Sequence, residues 1–384
     1  MSRIVLFGGG LNLISSARSL KESGHYVVGV ACNDKVAAKS NYVNDFVNIN
    51  TYGDDTYITS ILKELTLKYQ IDVIIPMEDE PATILSHIKK SLESETKVKC
   101  AVMDGEVFEV ASNKTRLLVF CKENGIGHPR TERLSLGLKE AADYVGFPAL
   151  IKPDHSEGAK GITLVNSYEE LKELAPRVQE EFGDCSLQEY IASKDYYYNL
   201  MMYRTSDGRY GNYCIIKILR YYPIKGGSSS LCVSIENEKM FEMGKHVLDK
   251  LGWVGFADFD ILEKEDGDYK IIEINPRVPA SLRGAAISGI NFPEMIVSDL
   301  LEGELKSYDY QPGKYLRYLG LDMAWFLASP KRWTCKPSWF KFIGKNIYYQ
   351  EGGKKDIPAF WTSMVEGIKK QLNPSFRKSK AGLN

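Results

Sequence analysis

The sequence predicts an α/β protein with an N-terminal doubly wound parallel sheet, followed by a domain built from hairpins and helices. The first observation is an alternation of apolar strand segments with helical patterns near the N-terminus, at 3–7, 11–22, 26–31, 58–69 and 72–76. Such alternation is typical of βαβ units around a parallel sheet. The second is a change after Ser112, where the turns SDGRYG and EDGD predict antiparallel hairpins. A chain of 384 residues is long enough for two or three domains.

Composition and charge exclude several classes of protein. The chain has 49 Lys and Arg against 50 Asp and Glu, so it has no overall basic field for wrapping nucleic acid. Its seven Cys include no CxxC pair, which argues against a disulfide scaffold or a zinc ribbon. The N-terminus is predicted to be a strand rather than a signal peptide, and no run of about 18 uncharged apolar residues is present. We expect a soluble cytoplasmic protein with no nucleic-acid partner.

A glycine-rich turn, Gly8 to Gly10, follows the first strand, at the place where dinucleotide-binding proteins carry GxGxxG. Here the sixth position is Leu13, and no acidic residue closes the second strand. The pattern therefore disfavours a dehydrogenase, although a helix N-terminus at this turn could still hold an anion.

The C-terminal segment differs from the rest of the chain in charge. Residues 331–384 carry twelve Lys and Arg against three acidic residues and are rich in aromatic residues, whereas residues 1–330 are net acidic. One interpretation is a surface for membrane headgroups or for an acidic partner. The other, which we favour from the sequence, is a set of amphipathic helices packed on the body with their lysines solvated.

The strongest group of candidate site residues lies on the last predicted hairpin. Alternate side chains of a strand share a face, so Asp258 and Asp260 point one way, and Glu273 and Asn275 share a face of the return strand. If these faces meet, their oxygens suit a hard cation such as Mg²⁺. Arg277 follows on the same face and could neutralise developing negative charge. A solvated strand face is the alternative, and we favour the metal site.

Two further segments are weaker when taken alone. Lys152 closes the strand FPALIKP and precedes a polar loop whose glycines and lysines suit phosphate oxygens, although a plain surface loop fits equally well. Glu189 closes another apolar strand, where a carboxylate could accept hydrogen bonds from an adenine amino group or a ribose hydroxyl. His155 lies beside the polar loop, and we expect it to be an ordinary loop residue.

In this order and spacing, these segments resemble the ATP-grasp superfamily. The resemblance runs from about Asn113 to Leu305, and segments 147–171 and 255–277 look most like the branch of the carbamoyl-phosphate synthase large subunit and biotin carboxylase. It implies three parts: a pre-ATP-grasp domain, an ATP-grasp domain whose lid spans about 113–190, and a basic, aromatic-rich helical extension. Their expected bounds are 1–110, 111–306 and 307–384.

The resemblance also implies roles for individual residues. Those implied to bind ATP are Lys114, Lys152, Ser156, Gly158, Lys160, Gly161, Glu189, Tyr190, Ile191 and Asp195. Those implied to hold Mg²⁺, with two ions expected and Mn²⁺ as a substitute, are Asp260, Glu273 and Asn275. Those implied to be catalytic are Arg277, Arg220 and Lys152, with the loop KGGSSS at 225–230 facing the acceptor. Asp260 is shorter than the Glu or Gln usual at its position, so Asp258 or a water could complete the site.

The chain has one such unit and no amidotransferase domain, so the two-step reaction of a full carbamoyl-phosphate synthase is not expected. The resemblance implies an ATP-dependent ligase that activates a carboxylate as an acylphosphate for attack by an amine. The alternatives are a bicarbonate-activating enzyme and a non-catalytic ATP-binding subunit. Glu78 or Asp79 could hold an amine and Arg283 a second carboxylate, although an acidic helix start explains 78–80 equally well. A homodimer and a peripheral membrane or acidic-partner contact through 331–384 are left open.

Overall fold

The computed structural model describes residues 1–154, 161–192, 194–224, 227–350 and 355–372. The strands are β1 Arg3–Phe7, β2 Tyr26–Cys32, β3 Asp45–Ile49, β4 Val73–Pro76, β5 Lys99–Cys100, β6 Thr131–Arg133, β7 Ala149–Pro153, β8 Thr163–Val165, β9 Cys185–Glu189, β10 Tyr197–Arg204, β11 Cys214–Tyr222, β12 Ser228–Ile235, β13 Gly255–Glu263, β14 Tyr269–Asn275, β15 Tyr315–Arg317 and β16 Ile347–Tyr349. The helices are α1 Gly10–Glu22, α2 Asp55–Tyr69, α3 Asp79–Thr96, α4 Gly105–Ser112, α5 Lys114–Glu123, α6 Leu138–Val145, α7 Tyr168–Phe182, α8 Glu238–Leu251, α9 Leu282–Ile287, α10 Phe292–Glu302, α11 Leu319–Ala328 and α12 Ile357–Leu372.

The N-terminal sheet is parallel and runs in the order β3-β2-β1-β4-β5, which confirms the predicted doubly wound sheet. The central strand β1 has helices on both faces, so its apolar run is buried throughout. At the glycine turn, the N–H of Gly9 donates to Glu78 at 3.0 Å and that of Gly10 to Asp34 at 2.6 Å. The start of α1 is therefore occupied by carboxylates of the chain itself. The short strand β3 was not predicted.

The largest sheet follows the order β14-β13-β10-β11-β12-β15-β16. Its two predicted hairpins are confirmed, because β10 pairs antiparallel with β11 and β13 with β14. The alternation in GFADFDILE places Ala257, Phe259 and Ile261 in a hydrophobic core, and the same core continues into the N-terminal domain. That alternation leaves the polar residues of β13 and β14 together on the opposite face.

The lid is a smaller sheet in the order β6-β9-β7-β8, covered by α6 and α7. It has a hydrophobic core of its own, in which Ile151 and Leu187 of the strands meet Leu171 of α7. Because β7 and β9 are neighbours, Lys152 and Glu189 are carried by the same sheet. The two strands predicted to end near Lys152 and at Glu189 are both present, as β7 and β9.

The C-terminal extension is not purely helical, in contrast to the prediction. β15 pairs with β12 and β16 with β15, so the extension adds two strands to the edge of the central sheet. The pairing positions a buried ion pair, in which Arg317 Nε lies 2.6 Å from Asp322 Oδ2, and Arg220 Nε lies 3.0 Å from Oδ1 of the same carboxylate. No helix in the described part of the chain is both long and apolar enough to cross a membrane.

Replacing Asp322 by Ala is expected to destabilise the fold by about 3–5 kcal/mol. The substitution leaves Arg317 and Arg220, 1% and 3% exposed, without their shared carboxylate. The free energy of unfolding in urea measures the effect.

Asp143→Ala is the matched control, because Asp143 pairs with Lys139 on the exposed surface of α6. Its expected cost is within about 0.5 kcal/mol. Equal costs for the two variants would contradict a structural role for the buried pair.

Candidate active site

The carboxylates of the β13–β14 hairpin face each other as the alternation predicts. Asp260 lies opposite Glu273, and Asp258 lies opposite Asn275. Asp258 is 1% exposed, and burial raises the pKa of its carboxyl to about 8. The pKa of Asp260 is raised well above its usual range by burial, then by the charges of Glu273 and Asp258. Two like charges are thus held together in a poorly solvated place.

Two lysines of the predicted nucleotide set supply positive charge to this pair. Lys114 Nζ, at the start of α5, lies 3.3 Å from Glu273 Oε2. Burial alone would raise the pKa of Glu273, but Lys114 and Lys152 lower it overall. Burial and the neighbouring Lys114 lower the pKa of Lys152 to about 8. Lys152 of strand β7 and Lys114 of helix α5 therefore both place positive charge near the carboxylates of the β13–β14 hairpin.

The donor set fits a hard cation. Asp258 Oδ1 is buried and has no hydrogen-bond partner among the described residues, and the charges of Asp260 and Glu273 oppose each other. A dication would relieve that repulsion, and carboxylate and amide oxygens are what Mg²⁺ accepts. Within the described residues no three His, Cys, Asp or Glu side chains form a metal cluster by themselves. The amide oxygen of Asn275 and phosphate oxygens would have to complete the shell.

Asn275 and Arg277 are oriented by two aspartates. Asn275 Nδ2 donates to Asp258 Oδ2 at 3.3 Å, which leaves its carbonyl oxygen on the side of Arg277. Arg277 donates to both oxygens of Asp79, from Nε at 2.8 Å and from Nη2 at 3.3 Å. Asp79 begins α3, so the N-terminal domain fixes an arginine of the ATP-grasp part. An amine-binding role for Asp79 is therefore replaced in this structure by an ion pair.

The predicted adenine segment closes the lid sheet. Glu189 accepts from the Arg130 backbone N–H at 3.1 Å, and Tyr190 N–H donates to the Pro148 carbonyl at 3.1 Å. Ile191 is buried beside them, 7% exposed.

Asp195, expected near a ribose, forms an ion pair with Lys331 of the C-terminal extension. Of the predicted phosphate loop, Gly161 is described, with φ of 72°. His155, Ser156, Gly158 and Lys160 lie outside the described residues, as do residues 225–226 of the acceptor loop.

Three other predicted residues are held by other groups. Arg220 pairs with Asp322 and donates to Cys335 Sγ at 3.4 Å, beneath the C-terminal extension. Arg283 donates to the Tyr349 carbonyl at 2.7 Å. Glu78 accepts from Gly9 N–H and from the Tyr52 hydroxyl at 2.6 Å. Each of these three side chains contacts other parts of the fold, and the roles expected for them stay predictions.

Sequence reasoning missed two residues beside the carboxylates. Asn199 of β10 donates from Nδ2 to Asp260 Oδ1, and the Ser281 hydroxyl donates to Asn199 Oδ1 at 3.3 Å. The only signal for Asn199 was a polar residue within the apolar strand YYNLMMYR. Its role depends on β10 lying next to β13, which the chain order does not reveal.

Ser281 also lines a cavity of about 250 Å³. It is bounded by α1, by the start of β12 and by the C-terminal extension. Its lining residues are Leu11, Asn12, Ser228, Ser229, Ser230, Cys232, Ala280, Ser281, Leu316, Tyr318, Leu321 and Gln350. None of these carries a formal charge, and the three consecutive serines belong to the predicted acceptor loop.

Part of the chain matches the model of a known protein family, and longer stretches of it resemble known proteins. Residues 212–319 match the family model described as ATP-grasp in the biosynthetic pathway with Ter operon. A D-aspartate ligase from Enterococcus faecium is 26% identical over 320 residues, covering 77% of this chain and 76% of that protein. The N-terminal section of the carbamoyl phosphate synthase large chain from Methanopyrus kandleri is 26% identical over 153 residues, covering 37% of this chain and 27% of that protein.

A solved structure has the same fold. The biotin carboxylase domain of Hydrogenobacter thermophilus 2-oxoglutarate carboxylase, a dimer in complex with MgADP and bicarbonate, superposes with a TM-score of 0.66 at 17% identity. The superposition covers 82% of this chain and 73% of that one. The family match and the superposition confirm the resemblance and the fold class predicted from the sequence, and the relatives of this chain include proteins named as ligases.

A Mg²⁺ complex of a non-hydrolysable ATP analogue is expected to raise the melting temperature, because it binds only the folded chain. At a hundredfold excess over Kd the gain is about 2.7 kcal/mol. The double variant Asp260→Asn, Glu273→Gln keeps the side-chain shapes but should lose the Mg²⁺-dependent part of the shift. Differential scanning calorimetry with and without Mg²⁺ measures it.

Asp266→Asn is the control, because Asp266 lies in the exposed turn of the same hairpin. It should retain the full Mg²⁺-dependent shift. If the double variant retained it as well, the carboxylates would not be the metal ligands.

Proposed function

We propose that this ATP-grasp protein is an ATP- and Mg²⁺-dependent ligase that joins a carboxylate to an amine, acting on an amino acid or a similar small molecule. In the first step the substrate carboxylate attacks the γ-phosphorus of ATP, giving an acylphosphate and ADP. In the second the amine attacks the acyl carbon, and inorganic phosphate and a proton leave. The D-aspartate ligase relative, matched over most of both chains, supports this reaction class.

The observation that carries the proposal is the meeting of Lys114 and Lys152 with Asp260, Glu273 and Asn275. Lysines on one side and oxygen donors on the other suit a triphosphate with its counterion. Asp260, Glu273 and Asn275 would hold Mg²⁺ there, and the ion would supply positive charge that offsets the charge of the phosphates. The contribution of the chain to the reaction is then positioning and electrostatics.

The lysines and Arg277 have separate roles in this proposal. Burial lowers the pKa of Lys152, and phosphate oxygens would provide favourable partners for its ammonium group. Lys114 already reaches Glu273 and would contact phosphate from the opposite side. Arg277, fixed by Asp79, presents its guanidinium beside Asn275, where it would stabilise charge that develops on the transferred phosphoryl group.

The cavity of about 250 Å³ is the proposed acceptor site. It is smaller than the ~300–1,000 Å³ typical of drug-sized ligands, so it suits a molecule of amino-acid size. Ser281 lines the cavity and is linked to Asp260 through Asn199, and these hydrogen bonds support a location near the proposed reacting groups. Its hydroxyl and amide lining suits an uncharged polar part of the substrate, while the carboxylate to be activated would extend towards Arg277.

The test is ADP release with Mg²⁺-ATP across L- and D-amino acids, singly and in pairs, with bicarbonate and ammonia as separate arms. Turnover is expected to require one acid and one amine, with the joined product seen by mass spectrometry. Glu273→Gln should lower kcat at least ~100-fold, because a metal ligand is lost. Asp266→Asn should leave kcat unchanged.

Two results would overturn this proposal. ADP release with bicarbonate and no amine would identify the bicarbonate-activating alternative. A non-catalytic ATP-binding subunit would be identified by two observations together. The purified protein would show no turnover, and cells carrying Glu273→Gln would keep the function that is lost when the gene is deleted.

Asp79→Asn is expected to lower kcat by about 10–100-fold, with KM for ATP changed less than about threefold. The charge that fixes Arg277 is lost, whereas the ground-state contacts of the nucleotide remain. Steady-state kinetics with the identified substrate pair give the two constants, and Asp79→Glu should restore part of kcat.

Glu80→Gln is the control, since Glu80 is an exposed acid in the same first turn of α3. A rise in KM for the amine alone would instead assign Asp79 to amine binding. Equal behaviour of Asp79→Asn and Glu80→Gln would exclude a positioning role.

A further inference from the structure

The C-terminal extension exposes large apolar side chains next to one another. Trp333, Phe340 and Ile343 are 71%, 56% and 92% exposed, and Met323 and Leu327, one turn apart on α11, are exposed as well. We call these five residues the aromatic face. Single exposed apolar residues are common on soluble proteins, but contiguous ones mark an interaction site.

The aromatic face is held in place by its own packing. Trp333 stacks on Phe340 with ring centroids 5.8 Å apart, and Phe326 contacts both rings. Beneath them Trp339 is 8% exposed and donates from Nε1 to the Asp322 carbonyl at 3.1 Å. The rings therefore lie on a buried anchor and are fixed in an exposed position.

Positive charge is concentrated in the segment that carries Trp333, Phe340 and Ile343. The stretch 331–350 contains Lys331, Arg332, Lys336, Lys341 and Lys345 and no acidic residue. The four lysines are exposed, and among the described residues only Lys331 has an acidic partner, Asp195. Lysine stems can lie along an apolar surface while their ammonium groups reach out to anions.

Helix α12 repeats this chemistry. Ile357, Trp361 and Val365 recur at a spacing of four residues, so they form one stripe along the helix, and each is exposed. α12 contacts α11, which carries part of the aromatic face. Helices α11 and α12, which are neighbours in the extension, thus both expose apolar side chains to solvent.

We propose that the aromatic face docks on a lipid bilayer that contains anionic phospholipid. Trp and Phe with a lysine rim are the combination that enters the headgroup region, where rings bury while ammonium groups pair with phosphates. Each lysine near an anionic surface strengthens binding about fivefold. Protein interfaces, by contrast, are depleted in Lys, so the four lysines favour a membrane over a protein partner.

The experiment is co-sedimentation of the full chain with vesicles of phosphatidylcholine alone and with vesicles containing 30% phosphatidylglycerol. The apparent affinity is expected to be at least ~20-fold higher for the anionic vesicles and to fall steeply in 1 M NaCl. Equal sedimentation with both vesicles, or none with either, would overturn the proposal.

Two pairs of variants test the chemistry of the aromatic face. Trp333→Ser with Phe340→Ser, and Lys341→Gln with Lys345→Gln, should each weaken binding at least ~10-fold. The matched controls are Leu67→Ser with Leu136→Ser, two exposed apolar residues elsewhere, and Lys39→Gln with Lys250→Gln. Controls that weaken binding as much as the test variants would overturn the proposal.

Sedimentation velocity of the same proteins tests whether a second copy of this chain, instead of a membrane, covers the aromatic face. A wild-type dimer that Trp333→Ser with Phe340→Ser converts to a monomer, with vesicle binding unchanged, would show that the aromatic face joins two copies of this chain. An unchanged sedimentation coefficient with lost vesicle binding is the expected result.

Discussion

The structure of the site depends on one unfavourable contact, the approach of Asp260 and Glu273 across the β13–β14 hairpin. Buried like charges raise the free energy of the fold, and the high pKa of Asp260 expresses that cost. Two lysines from different elements offset it, since Lys152 comes from β7 and Lys114 from α5. The same contact would favour a dication, because the charge of the ion would offset the repulsion between the two carboxyl groups.

Local patterns in the sequence predicted the hairpin but not its surroundings. Two-residue alternation fixes which side chains of β13 and β14 share a face, so Asp260 and Glu273 could be paired before the structure was known. Asn199 joins them only because β10 lies beside β13, and the chain order does not give that neighbour. Asp79 meets Arg277 across 198 residues of sequence. Contacts of this kind depend on the tertiary structure, so the spacing of residues within one strand or helix does not predict them.

Arg220 shows why a family position can be correct in the alignment of strands and still differ in its contacts. It lies on β11, and β15 joins the edge of the sheet and brings Asp322 within 3.0 Å of its guanidinium. A buried arginine is stabilised by the nearest carboxylate, and here that carboxylate belongs to the extension. The prediction of helices alone for 307–384 missed the strands that create this contact.

The extension also shows that aromatic residues in one segment can serve opposite purposes. Trp339 buries its ring and donates its N–H to a backbone carbonyl, as an ordinary core tryptophan does. Phe340, the next residue, points into solvent at 56% exposure. Since Arg317 also donates to the Trp339 carbonyl at 2.7 Å, the buried ion pair holds the segment that exposes Phe340 and Trp333. Because the buried packing fixes these side chains in place, they do not fold back into the protein. Their apolar surface stays exposed, and burying it against a partner would contribute hydrophobic free energy to binding.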